Sequence, residues 1–140
     1  MIIYPKREDY IHYEGQRLTA EWYYTVNGNV PGFDYYRDLS RQDRVRLDQI
    51  IKHLCDSPFG TILPISLYRV EDRQNKIYAL KPRDERFFNF TTEGSKIIIT
   101  NAYHKHSQQM TKADMECLKI AVAYRHDYLK RLKEGTYYEN

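Results

Sequence analysis

Three consecutive isoleucines, Ile97-Ile98-Ile99, constrain what this chain can fold into more than any other feature. A strand with one wet face alternates apolar and polar residues, so an unbroken apolar run calls for a central strand covered on both faces. The run closes a β-rich stretch that begins after Pro64. Residues 65–70, 76–81, 86–91 and 96–103 carry strand patterns, with turn chemistry at Gln74-Asn75, Pro82 to Asp84 and Glu93-Gly94 between them. Connections this short imply an antiparallel meander.

Helical periodicity brackets that stretch. Ser40, with Asp43 three residues on, reads as a capping-box start, and Leu47, Ile50, Ile51, Leu54 and Cys55 follow at spacings of three and four. Ser57-Pro58 stops the pattern, which predicts a helix over roughly residues 40–56. Thr111 with Asp114 opens a second helix, whose apolar stripe is Met115, Leu118, Val122, Arg125, Leu129 and Leu132. Upstream, residues 18–26 alternate, with Leu18, Ala20, Trp22, Tyr24 and Val26 on one face, and predict a half-buried strand. Asn27-Gly28-Asn29 and Pro31-Gly32 then break the chain. The expected fold is α+β: a twisted antiparallel sheet of about four to five strands packed against two main helices. With no internal repeat or low-complexity linker, residues 1–140 read as one domain, residues 1–17 being an N-terminal extension.

Charge is unevenly placed. Residues 1–60 hold 8 Lys/Arg against 9 Asp/Glu, whereas residues 61–140 hold 14 against 10, so the basic surface belongs to the second half. A gathered positive face attracts a polyanion, although most basic residues only solvate a surface. The 14 tyrosines suit a half-wet interface or base stacking equally well. Two cysteines, Cys55 and Cys117, are too few for a disulfide framework and read as reduced, buried thiols. Residues 1–13 mix Lys6, Arg7, Glu8 and Asp9 into their apolar residues, and so lack a signal-peptide core or a membrane span. A cytoplasmic location is the expectation.

Four pieces then stand in a telling order. They are Ile77-Tyr78-Ala79-Leu80-Lys81, Arg86-Phe87-Phe88, the run from Ile97 through His104-Lys105-His106, and Met110-Thr111-Lys112-Ala113-Asp114. This stretch of about 55 residues resembles the RelE/HigB toxin superfamily, particularly its phage-derived branch. Lys81 stands where that family prefers arginine, Ala102 replaces its glycine, His106 its second lysine and Thr111 its proline. The resemblance implies a RelE-like sheet backed by helices, cleavage of messenger RNA on or off the ribosome, and a cognate antitoxin that covers the cleft.

Metal-free RNA cleavage needs a base for the attacking 2′-hydroxyl, cations for the phosphorane oxygens and an acid for the 5′-oxygen. Lys81, Arg83 and Arg86 flank one turn and are the candidate phosphate clamp; residues 81 and 83 share a face if the strand stays regular through Pro82. Arg86 ranks first, because its planar fork holds two phosphate oxygens and the resembling family has an arginine there. His104 and His106 are the candidate proton-transfer groups, with Lys105 turned away, or inward if the strand has already ended. Tyr124 or Tyr128 would stack a base or donate to a phosphate. The bland counterparts are a solvated strand face for the three cations, polar strand-end residues for the histidines, and core packing for the tyrosines.

No cofactor is expected. A zinc site drawing on the His-x-His pair with Cys55, Cys117, His53 or His126 lacks close ligand spacing. A catalytically inert relative, keeping the fold as a binding module for protein or RNA, is the alternative from another class. A cationic, tyrosine-rich cleft would also invite a small acidic protein as its cover.

Overall fold

The computed structural model describes residues 7–138; residues 1–6 of the expected extension lie outside them. The elements run α1 (Arg7–Tyr10), β1 (Ile11–Glu14), β2 (Thr19–Trp22), α2 (Pro31–Arg37), α3 (Arg41–Asp56), β3 (Tyr68–Asp72), β4 (Ile77–Leu80), β5 (Glu85–Thr92), β6 (Lys96–His104) and α4 (Lys112–Glu134). The architecture is α+β. The sheet, however, has six strands in the order β1-β2-β6-β5-β4-β3, and it is mixed. β2 runs parallel to β6, while every other neighbouring pair is antiparallel. A parallel pair needs a long crossover. Here it is everything between β2 and β6, two helices and three strands, which no local pattern announces. Three longer helices and the single turn α1 replace the two helices expected.

β6 lies inside the sheet, and Ile97, Ile98 and Ile99 are all fully buried, as their run requires. α2 and α3 cover one face and α4 the other. The expected strand over residues 18–26 shrinks to β2, and its alternation fails: Ala20 to Tyr24 are buried in succession. Trp22 packs on Phe33 and Tyr36 of α2. Glu21 accepts a hydrogen bond from Tyr138, and Tyr23 stacks on Tyr124 of α4. A strand sandwiched between helix layers hides both its faces, so period-two polarity says little about it.

Pro31-Gly32, read as a break, instead starts α2, with the proline in the first turn where its missing N–H costs nothing. Gly32 must lack a side chain there, since a Cβ would come within 2.9 Å of both the Trp22 ring and the Thr100 carbonyl. The expected extension also contributes to the sheet, through β1. The β1–β2 turn seats on α3, whose Cys55 carbonyl accepts from the Arg17 and Leu18 amides. At Gly15 a Cβ would meet the Cys55 Cβ at 2.5 Å.

α3 follows its sequence closely. The Ser40 hydroxyl accepts from the Asp43 amide, and Leu47, Ile50, Ile51, Leu54 and Cys55 are buried. α4 has both halves of its capping box on Thr111 and Asp114, but its buried face is displaced by one residue from the predicted stripe. Asp114, Ala121, Tyr128 and Arg131 face inward, and Met115 and Leu132 are exposed. Arg131 explains the displacement: Nη1 donates to the Tyr24 carbonyl and to Asp127, each at 2.8 Å. Its guanidinium also sits over the Tyr24 and Tyr137 rings at 4.8 and 4.7 Å. Rotating α4 onto the predicted stripe would leave these groups unpaired in the core. Cys55 is buried and Cys117 half-buried, both as free thiols, and burial pushes the Cys55 thiol up to about 12.

Candidate nucleic-acid interface

The turn between β4 and β5 sets the geometry of the expected site. β4 ends at Leu80, and Arg83 takes a left-handed conformation with φ of 59°, so the strand is not regular through Pro82. Lys81 and Arg83 therefore do not share a face. Lys81 Nζ donates to the Ile65 carbonyl at 3.0 Å. Arg83 swings to α3, donating to Gln42 Oε1 at 3.0 Å and lying 3.6 Å from Asp43 Oδ1. There it joins Arg41, Gln42, Val45, Arg46 and Gln49 around an open trough of about 630 Å³. Arg86 Nη1 donates to the carbonyls of Arg83 and Glu85 at 2.7 and 2.8 Å, bracing the turn. The Lys105 amide donates to the Asp84 carbonyl at 2.7 Å, tying the end of β6 to that turn.

Strand register then divides the expected residues between two faces. Arg86 pairs with Tyr103 and Glu85 with His104, so adjacent residues of β5 point to opposite sides of the sheet. On the α4 side a cationic group assembles from Lys81, Arg86, Lys105 and Arg69. Burial first, then the charges of Arg86 and Arg69, hold the Lys81 ammonium below its ordinary value; Glu71 opposes this and Lys105 adds to it. A lysine surrounded by cations and partly desolvated loses its proton more readily, which suits it to act as a base beside a phosphate.

On the α2/α3 side stands a different constellation. His104 Nδ1 lies 2.8 Å from Glu85 Oε1, and the Tyr35 hydroxyl donates to Glu85 Oε2. Glu85 is buried, with Tyr35 half-buried beside it, while the His104 side chain is 47% exposed. The hydrogen bond that His104 donates to Glu85 raises the His104 pKa, extending the range over which the imidazolium persists. A carboxylate that holds Nδ1 fixes the ring and leaves Nε2 toward solvent as the proton donor. The His106 ring meets it edge-on at 4.7 Å between centroids. Burial, then Glu85, pushes the Tyr35 phenol well above its usual value.

The two tyrosines lie elsewhere. Tyr124 stacks on Tyr23 at 4.7 Å, and Tyr128 is buried against Phe90, its hydroxyl 2.7 Å from that of Tyr138. Phe90 pairs with Ile98, toward the end of the sheet remote from the β4–β5 turn. Neither ring joins Arg86 or His104. Glu85, Tyr35, Arg69, Arg41 and Arg46 escaped sequence reasoning. The position of Glu85, two residues before Phe87, acquires meaning only through the register that sets it opposite His104.

Among the described residues no group of three or more His, Cys, Asp or Glu side chains is disposed to hold a metal ion, and no helix is long and apolar enough to cross a membrane. No protein-family model matches the chain, and no curated protein matches it significantly.

Proposed function

We propose that this chain is a toxin of the RelE/HigB type, a cytoplasmic endoribonuclease that cleaves messenger RNA without a metal. The observation that carries this reading is the gathering of Lys81, Arg86, Lys105 and Arg69 at one rim of the sheet, with the His104–Glu85 pair on the other face of the same rim. An RNA strand crossing the ends of β5 and β6 passes from the cations to the imidazoles. Arg86 and Arg69 hold the scissile phosphate, and Lys81 or His106 takes the 2′-hydroxyl proton. The 2′-oxygen bonds to phosphorus as the bond to the 5′-oxygen breaks, and the His104 imidazolium gives that oxygen its proton. The products are a 2′,3′-cyclic phosphate and a 5′-hydroxyl. A small acidic protein that covers the cations would silence the site.

One observation favours a second reading, an inert binding module for RNA or protein. Arg86 spends its guanidinium on two backbone carbonyls, and the cations and histidines do not share a face. A single experiment separates the two readings. Wild type and an Arg86→Ala, His104→Ala, His106→Ala variant are expressed under tight induction, and growth is followed together with mRNA integrity. Growth arrest and cleavage in the wild type alone support the nuclease. Intact mRNA in both, with soluble folded protein, supports the binding module. Purified protein on naked and on translating mRNA, both in chelator, tests dependence on the ribosome and on metal.

A further inference from the structure

The proposed reaction gives the RNA strand a direction, and a second group of cations lies where its far end emerges. The oxygen that His104 protonates is the 5′-oxygen of the nucleotide after the cut, whereas the attacking 2′-hydroxyl belongs to the nucleotide before it. Lys81 and Arg86 act from the α4 side of the sheet and His104 stands on the α2/α3 side. A strand whose 5′ part lies over the first face therefore carries its 3′ part onto the second.

The second face offers the trough on α3. Arg83 leaves the β4–β5 turn to donate to Gln42 Oε1 at 3.0 Å, with Asp43 Oδ1 3.6 Å away. The Asp43 charge also reaches His104, so the trough begins close to the imidazole. Arg41 and Arg46 continue it along the helix. Five residues apart, they are separated by about 7.5 Å of helix rise, so each serves its own phosphate. No lining residue among the described ones carries a carboxylate. Asp43 answers Arg83 in part, but Arg41 and Arg46 form no ion pair among the described residues, and Arg46 has only Gln49 Oε1, at 3.5 Å. Val45, 46% exposed, adds an apolar patch on which a sugar or base can rest. Three guanidinium groups spread over an open trough of about 630 Å³ suit an extended polyanion better than a single compact anion.

We propose that this trough is the subsite for the RNA on the 3′ side of the cut, with Arg83, Arg41 and Arg46 holding the backbone phosphates of the departing fragment. The assignment to the 3′ side rests on the nuclease reading; the affinity of the trough for a nucleic-acid backbone does not. These contacts are the same before and during the reaction, so they lower KM and leave kcat unchanged.

The test uses the full chain in chelator. A DNA strand carrying a single ribonucleotide fixes the cut, because only that residue has a 2′-hydroxyl, and it is followed by one nucleotide or by about five. The longer 3′ side is expected to lower KM roughly tenfold at unchanged kcat, and an Arg41→Glu, Arg46→Glu variant, changed only at exposed positions, should lose that gain. Lengthening the 5′ side should help both proteins alike. In parallel, an uncleavable 2′-O-methyl strand of about six nucleotides bears a photoreactive group at its 3′ or its 5′ end. The 3′ group should crosslink to residues 41–49 of the wild type and not of the variant, and the 5′ group to neither. A 3′ gain that survives in the variant, a 5′ gain that the variant loses, or 3′ crosslinks away from α3 would overturn the proposal. Cleavage with no 3′ gain sinks the subsite and spares the nuclease. If the wild type cuts neither this strand nor translating mRNA, yet the strand crosslinks to residues 41–49, the nuclease reading fails and the backbone-binding trough stands.

Discussion

The two ends of the sheet treat charge in opposite ways. Near the start of β6, Glu21 is buried and accepts from Tyr138 at 2.7 Å, while Lys96 lies 3.5 Å from that carboxylate and 3.8 Å from the centre of the Tyr138 ring. Close by, Arg131, Asp127 and Tyr23 close a second network on the Tyr24 carbonyl. Each charge there has an opposite partner and an aromatic wall. At the other end Arg86, Arg69 and Lys105 all stand within electrostatic reach of Lys81, with Glu71 opposing them there. Paired charge in a dry core locks a fold in register, whereas like charge at a rim weakens it slightly and creates a field for a ligand. The difference marks one end as structural and leaves at the other the cationic rim that the proposed RNA binding would use.

The strongest way to break that contrast is Arg131→Ala. It removes the guanidinium that donates to Asp127 and to the Tyr24 carbonyl, leaving Asp127 only the Tyr23 hydroxyl, and a loss of about 3 kcal/mol in urea unfolding is expected. A change below about 1 kcal/mol would mean that the network is decorative. Glu21→Gln comes next, at about 1–2 kcal/mol, because the amide keeps an acceptor for Tyr138 but loses the charge facing Lys96.

At the opposite end the same measurement should barely move. Lys81→Ala and Arg86→Ala are expected to change stability by less than about 1 kcal/mol, yet to weaken single-stranded RNA binding roughly tenfold. Each should also lower the slope of log affinity against log salt by about one phosphate contact. An unchanged slope would remove these residues from the RNA path.

The smallest effect concerns pH. The folded pKa of His104 is raised by Glu85, so its contribution to stability is complete below the unfolded value near ~6.5 and is lost as pH rises through the folded one. Wild type should therefore lose a little of its advantage over His104→Gln between acidic and mildly alkaline pH, by a margin that solvent exposure keeps small. A difference that grows with pH would contradict the Glu85 pairing.

Local chemistry made part of this legible in the sequence. The Ser40 and Thr111 caps, the buried stripe of α3, the isoleucine core of β6 and the succession of β-runs after Pro64 all follow from interactions within a few residues, and the structure has them. The Arg86 turn was legible as a basic cluster for the same reason. The division of the candidate site was not, because it depends on a backbone turn at Arg83 and on which residue of β6 faces Glu85.

Sequence alone thus determined α3 and α4 with their caps and the run of strands that ends in β6, since periodicity and capping are short-range. Tertiary structure alone decided four things: the recruitment of residues 11–14 as an edge strand, the parallel β2–β6 pairing, the face that α4 buries and the separation of His104 from Arg86. Each rests on contacts between residues far apart in the chain, where a one-residue change of register or a small rotation of a helix exchanges buried for exposed side chains.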